Sequence, residues 1–141
     1  MKITATTGNQ YELIGEKEGL ILYGPCGRLG IVSKIYITPD NRIQVNMVKK
    51  LNYFRTEPNI VQKVEGCVFV KTSDSSISLF EEKGKFYVEF GHKRGILKTL
   101  SQIELGASLN FIYGVLSEEG VETKKIQKFS TSHPIVEIIT T

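Results

Sequence analysis

The stretch "EEKGKFYVEFGHKRGILKTL", residues 81–100, carries the strongest strand and turn signals in the sequence. Its central segment "KFYVEF" (85–90) alternates apolar and polar side chains, which is the pattern of a strand with one buried face. Glycines stand on both sides of this segment and supply the chemistry of tight turns. We therefore expect a hairpin whose buried face holds Phe86, Val88 and Phe90.

The rest of the chain carries the same signals. Short β-branched or alternating segments recur at spacings of about ten residues, with turn sequences such as "GPCG" and "PDN" between them. No segment keeps a helical period beyond one or two turns. The sequence therefore predicts an all-β barrel or sandwich. The predicted strands are 11–14, 20–23, 30–38, 42–48, 67–72, 76–80, 85–90, 95–100, 108–116, 125–129 and 134–140.

The composition of the 141 residues, with 40% hydrophobic and 23% charged side chains, is typical of a globular chain of one domain or two very small ones. The net charge of +3 permits an anionic partner without requiring one. Cys26 and Cys67 are too few for a disulfide framework. The sequence shows no apolar run of signal-peptide or membrane-span length. We expect a cytoplasmic protein that does not contact a membrane.

The opening stretch repeats an earlier one. The segment "EKEGLILYGPCGRLGIVSKI" (16–35) aligns with residues 81–100 at an offset of 65 residues without a gap. The aligned pairs include Gly19 with Gly84, Gly30 with Gly95, Ile31 with Ile96, Val32 with Leu97 and Ile35 with Leu100. The alternative is that all-β chains share a common rhythm of turns and strands. We expect two similar units of about 65 residues, within 1–70 and 71–141, each of the size of a small SH3-like barrel. They would stand in tandem or merge into one pseudo-twofold barrel or sandwich.

A glycine pattern in the first copy resembles the KOW motif. Gly27, Gly30, Val32 and Ile35 follow the spacing G-x-x-G-x-V-x-x-I and precede a predicted strand. The KOW motif occurs in SH3-like domains of ribosomal proteins and transcription elongation factors, where it contacts RNA or protein. The resemblance implies an SH3-like barrel. The second copy departs from the motif because His92 stands at the position of the first glycine.

Residues 83–90 also resemble the RNA-recognition octamer, a basic residue and glycine followed by alternating aromatic positions around a valine. The matching positions are Lys83, Gly84, Tyr87, Val88 and Phe90. Two exposed aromatic rings stack bases in that motif, whereas here only Tyr87 faces outward. The basic residues of the hairpin and its exit form a local positive field with Tyr87 as a stacking platform, which suggests binding of RNA or single-stranded DNA as an alternative function. The candidate residues are Lys83, Lys85, Tyr87, His92, Lys93, Arg94 and Lys98.

The two copies differ on one strand face. The offset of 65 places Ile21 and Tyr23 on the inner face and leaves Leu20 and Leu22 on the outer one. An apolar pair on a face that should be wet requires cover, either from the second copy or from another subunit. We therefore expect Leu20 and Leu22 to lie in a buried surface between the repeats or between subunits.

The segment "KKLNYFRTEPN" (49–59) holds a second candidate contact. Tyr53, Phe54 and Arg55 lie between two predicted strands, and exposed aromatic residues with arginine are typical of interface hot spots. The alternative is that Phe54 points inward and closes the end of a barrel.

Catalytic signatures are absent from the sequence. His92 and His133 have no metal-type spacing with each other or with a cysteine, and there is no nucleophile elbow, phosphate loop or dinucleotide fingerprint. We expect no catalytic residue, metal or cofactor. The sequence predicts a non-enzymatic binding or assembly module that recognises a protein partner or a second copy of itself, within a larger complex or a phage-type particle. Its predicted contact residues are Leu20, Leu22, Tyr53, Phe54 and Arg55.

Overall fold

The computed structural model describes residues 1–48 and 61–141 of the chain. In these two ranges the chain forms strands and turns without a helix, so the all-β prediction is confirmed. Accordingly, the same ranges hold no helix of the length and apolarity needed to cross a membrane. The sequence pattern predicts every strand except β1 and β6. The strands are β1 (Lys2–Ala5), β2 (Gln10–Glu16), β3 (Gly19–Gly24), β4 (Gly27–Ile37), β5 (Ile43–Met47), β6 (Val61–Glu65), β7 (Val68–Thr72), β8 (Ser76–Glu82), β9 (Lys85–Phe90), β10 (Lys93–Ser101), β11 (Asn110–Leu116), β12 (Glu122–Ser130) and β13 (Ile135–Thr140).

The strands form one curled antiparallel sheet with the shape of a half-barrel. Its main path runs in the order β13-β7-β8-β9-β10-β4-β3-β2-β1-β6. Three further strands extend it sideways, since β5 pairs with β4, β11 with β10 and β12 with β11. The predicted boundary between the two units, 1–70 and 71–141, lies inside β7.

Strands β4 and β10 meet in the middle of this path. Ile35 pairs with Leu100 at the centre of a short antiparallel ladder between the two strands. It is the one strand pairing within the described residues that joins the N-terminal strands, β1 to β6, to the C-terminal strands, β7 to β13. Both side chains are at most 1% exposed, and they belong to a single apolar core that draws residues from both sets of strands.

The core lies on the inner face of the curl. As predicted, Phe86, Val88 and Phe90 of β9 all lie in it. Strand β13 packs across the first strands of the chain, where the Gly15 amide donates a hydrogen bond to Thr140 Oγ1 at 2.9 Å. The close approach of this backbone is the reason for a glycine in β2. A Cβ atom on Gly15 would lie 2.2 Å from the carbonyl oxygen of Ile138.

The predicted facing of β3 is wrong. Leu20 and Leu22 lie in the main core, whereas Ile21 is buried outside that core cluster and Tyr23 is half-buried. The reason is an extra residue, Leu29, opposite the β3 strand: Leu22 pairs with Gly30, but Tyr23 pairs with Arg28. A bulge of one residue reverses the faces of a strand relative to an ungapped alignment.

Candidate interaction surface on strand β12

The predicted partner contacts on β3 are not surface residues. Leu20 and Leu22 are 0% and 1% exposed, and their cover comes from the chain itself rather than from another subunit. They share a core cluster with Ile138 of β13, which packs near β3. Ile138 lies within 71–141, so this burial agrees with the alternative that the second predicted unit covers the two leucines. They have no exposed surface for a separate partner, and their assignment as partner-binding residues is corrected to a role in the core. The other predicted contacts, Tyr53, Phe54 and Arg55, lie outside the described residues.

Arg94 of the basic hairpin is occupied by contacts within the protein. Its guanidinium forms ion pairs with Glu82 at 3.0 Å and with Glu89 at 3.2 Å. Its Cζ atom also lies 4.9 Å from the ring centre of Phe80 and 5.4 Å from that of Tyr87. These two rings stack on each other with their centres 5.7 Å apart. The arginine and Tyr87 thus form a closed cluster on the outer face of β8 to β10.

The remaining cations of the hairpin are dispersed. Lys83 lies in the turn before β9 with Lys85 beside it, while His92 and Lys93 lie at the opposite end of that strand. The two ends are roughly 17 Å apart at about 3.4 Å per residue. Lys98 is paired with Glu122 at 2.8 Å. The hairpin does not present one continuous basic patch, and the nucleic-acid alternative stays a prediction.

Strand β12 differs from the other strands in its exposure. Eight of its nine residues are exposed, with only Gln127 partly covered. Among the strands that the structure describes, it pairs with β11 alone. Its second edge is therefore open in this part of the chain. Such an edge presents backbone N–H and C=O groups to a further strand.

Side chains on the inner face hold β12 in place. Phe129 packs with its ring centre 5.1 Å from that of Phe111 and also 5.1 Å from that of Phe90. The Tyr113 hydroxyl donates a hydrogen bond to Gln127 Oε1 at 2.7 Å. Phe129 nevertheless remains 40% exposed, because it lies at the open margin of the aromatic core. On the inner face of β12, Gln127 and Phe129 thus anchor the strand to the rest of the sheet, while part of the Phe129 ring stays accessible to solvent.

The outer face of β12 centres on an exposed isoleucine. Ile126 is 60% exposed and lies opposite Gly114 of β11, which has no side chain to cover it. The ion pair between Lys98 and Glu122 closes the space above Gly114 instead, with Glu122 Oε1 3.3 Å from where a Cβ atom would stand. Val121, in the turn before the strand, is 63% exposed. Isolated apolar residues on a surface are common, but an exposed isoleucine on an open edge strand that also carries a 40% exposed phenylalanine, Phe129, marks a candidate contact site.

Three lysines complete this strand. Lys128 shares the outer face with Ile126, because side chains alternate along a strand. Lys124 and Lys125 lie where β12 has extra residues opposite β11, between the pairs Glu122–Leu116 and Ile126–Gly114. All three are exposed, and none has an ion-pair partner in residues 1–48 and 61–141. We define the β12 surface as Lys124, Lys125, Ile126, Lys128 and Phe129.

Two depressions elsewhere on the described surface are open to solvent. One is lined by residues that include Glu16, Leu105 and Val136, and another by residues that include Glu12, Tyr23 and Pro25. No group of three histidine, cysteine, aspartate or glutamate side chains in the described ranges is arranged to hold a metal ion. Comparison of the chain with known protein families, curated proteins and solved structures finds no match.

The sequence predicts a strand at 125–129, but the residue pattern does not indicate a function for this strand. The alternation of Lys124, Ile126 and Lys128 on one face is visible in the sequence, yet it reads equally as an ordinary solvent-facing strand. Two features of the structure distinguish a contact site from an ordinary solvent-facing strand. Ile126 faces a glycine, and the strand has an open edge, and both depend on which strands pair.

The structure predicts that Phe129 and Ile126 contribute very differently to stability. Phe129→Ala should lower the free energy of unfolding by about 1–2 kcal/mol, because it removes two aromatic contacts. Ile126→Thr keeps a β-branched side chain on an exposed site and should change it by less than about 0.5 kcal/mol. Urea denaturation of both variants measures the difference. An equal loss for the two variants would place Ile126 in a contact within its own chain.

Proposed function

We propose that this protein is a non-enzymatic binding module that recognises a protein partner through the β12 surface. The observation that carries the proposal is an open edge strand of nine residues with eight exposed, including Ile126 and Phe129. Natural proteins usually protect open strand edges with charged residues. Lysines alone would serve that purpose. The exposed isoleucine and phenylalanine act against it, because they add apolar area that a partner can bury.

The extended, non-concave shape of the β12 surface suits a protein partner better than a small molecule. Small-molecule sites are concave and bury most of their ligand, whereas the β12 surface is one face and one rim of an extended strand. Strand addition to an open edge is a recurring mode of peptide and protein recognition. A second copy of this chain is one partner of that kind, and its binding would make the protein an assembly component.

We further infer that the chain contains two copies of a small SH3-like unit, β1 to β6 and β7 to β13. In each set, neighbouring strands of the sheet follow one another along the chain, and the last strand returns to pair with the first. Ile35 and Leu100, 65 residues apart in sequence, pair with each other at the junction. The pairing irregularities at Ser33 of β4 and Lys98 of β10 are 65 residues apart as well. These matches are what a twofold axis through the junction would produce.

If that axis exists, Ile35 and Leu100 have equivalent surroundings. Ile35→Ala and Leu100→Ala should then each lower the free energy of unfolding by about 2–4 kcal/mol, the usual cost of such a truncation in a core. We expect the two values to agree within about 1 kcal/mol, as measured by urea denaturation. A loss at one position several times larger than at the other would contradict the equivalence of the two units.

The protein-binding proposal is tested by a photo-crosslinking amino acid placed at Ile126. The matched control carries the same amino acid at Ser73, which is exposed in the turn between β7 and β8. In an extract of the cells that make the protein, the Ile126 position should give a discrete protein adduct that the control lacks. Unlabelled wild-type protein should suppress the adduct. The Ile126→Thr variant should be at least about tenfold less effective as a competitor, since truncation of an interface anchor commonly has this effect.

Identical adducts at Ile126 and Ser73, or equal competition by wild type and Ile126→Thr, would contradict the proposal. An adduct with twice the mass of the chain would identify a second copy as the partner.

A further inference from the structure

We propose that the partner binds β12 as an added strand, through an extended acidic segment with apolar residues at fixed positions. This inference rests on the proposed function and names the partner's chemistry. The first observation is the positive charge of β12. Lys124, Lys125 and Lys128 are the three cations of β12, and none is neutralised within the described part of the chain. The one carboxylate of the strand, Glu122, is already paired with Lys98.

The charges along this hairpin are separated. Glu118 and Glu119 are exposed in the turn between β11 and β12, whereas the lysines occupy the strand itself. An acidic segment is therefore attracted to the length of β12 and repelled from its turn. Long-range attraction of this kind sets where and in which register a partner docks.

The alternation of side chains defines the partner's pattern. Directly opposite residues of antiparallel strands lie on the same face, and opposite charges at such positions stabilise the pair. Carboxylates should therefore stand opposite Lys124, Lys125 and Lys128, and apolar side chains opposite Ile126 and Phe129. The resulting segment combines acids and apolar residues in a fixed order. A register shift by one residue would place its carboxylates against the isoleucine.

The open edge explains why the segment should be extended. β12 pairs with β11 on one side, so its other side offers backbone donors and acceptors in the part of the chain that the structure describes. Main-chain hydrogen bonds give a strand-adding ligand its affinity, and side-chain pairs give it specificity. A helix or a nucleic acid would meet the lysines but leave these backbone groups unused.

The test uses a fluorescein-labelled peptide, Thr-Val-Glu-Thr-Val-Glu-Glu-Thr, whose order matches β12 in the antiparallel direction. Fluorescence anisotropy should show saturable binding to the intact protein. Reversal of the three lysines of β12 (Lys124→Glu, Lys125→Glu and Lys128→Glu together) should weaken binding at least about tenfold, because three favourable pairs become like-charge contacts. The matched control reverses Lys83, Lys85 and Lys93, which changes the net charge equally, and should alter binding by less than about twofold.

Three further tests use the wild-type protein alone, so they do not depend on the folding of a variant. Of two peptides with the same sequence, each N-methylated at one of the two sets of alternate amides, one should lose binding and the other should keep it, because only one edge of the added strand faces β12. A peptide with lysine in place of glutamate should not bind. An oligothymidylate of similar length should bind at least about tenfold more weakly than the acidic peptide at moderate salt.

Absence of binding by the acidic peptide, or undiminished binding of both N-methylated peptides, would overturn the strand-addition inference. Equal binding of the lysine peptide would overturn the acidic preference. Tighter binding of the oligothymidylate, lost on reversal of the β12 lysines, would assign the strand to nucleic acid instead. A discrete adduct at Ile126 in cell extracts together with a negative peptide titration would leave the proposed function standing and refute only this inference.

Discussion

The pairing of β4 with β10 joins the two halves of the described sheet. Within residues 1–48 and 61–141 it is the one ladder between the N-terminal and the C-terminal strands, and it places Ile35 against Leu100 in the core. Each of the two strands also pairs along its other edge with a third strand, β5 or β11. The pairing irregularity near Ser33 lies in the ladder between β4 and β5, and that near Lys98 lies in the ladder between β10 and β11. Bulges at such points bend a strand and increase its twist, which suits a sheet that curls.

Much of this architecture is readable in the sequence. The alternation in "KFYVEF" correctly predicts which face of β9 is buried, because the strand has one wet face. Positive φ values at Lys83 and Gly84 agree with the turn predicted between β8 and β9. The facing of β3 is not readable in the same way. All four residues from Leu20 to Tyr23 are apolar or aromatic, so only the bulge at Leu29 fixes the phase, and a bulge leaves little trace in an ungapped alignment.

The candidate site was the less predictable part for a related reason. Arg94 and Lys98 look like free cations in the sequence, yet each forms an ion pair with a carboxylate that another strand brings close. Conversely, Lys124 and Lys128 look like the solvated face of an ordinary strand. Which charges remain available depends on the order of the strands in the sheet. Local periodicity does not contain that order, and neither does composition.

The junction lies in a buried core, whereas β12 is an exposed strand at the margin of the sheet. Exposed strands with few buried contacts open locally at a lower free energy than core strands. A ligand that pairs with an open strand edge stabilises that strand. In the free protein, which lacks the ligand, the amides of β12 should therefore be the least protected from hydrogen exchange among the strands. This contrast links the fold to the proposed function through one physical property, the local free energy of opening.

Native-state hydrogen exchange of the free protein measures that property directly. We expect the amides at the β4–β10 junction, from Lys34 to Tyr36 and from Thr99 to Ser101, to exchange only with global unfolding. The amides of β12 that face away from β11 should exchange fastest among the strands. Equal protection of β12 and of the junction in the monomeric protein would contradict the account, because it would show that the edge of β12 is already covered.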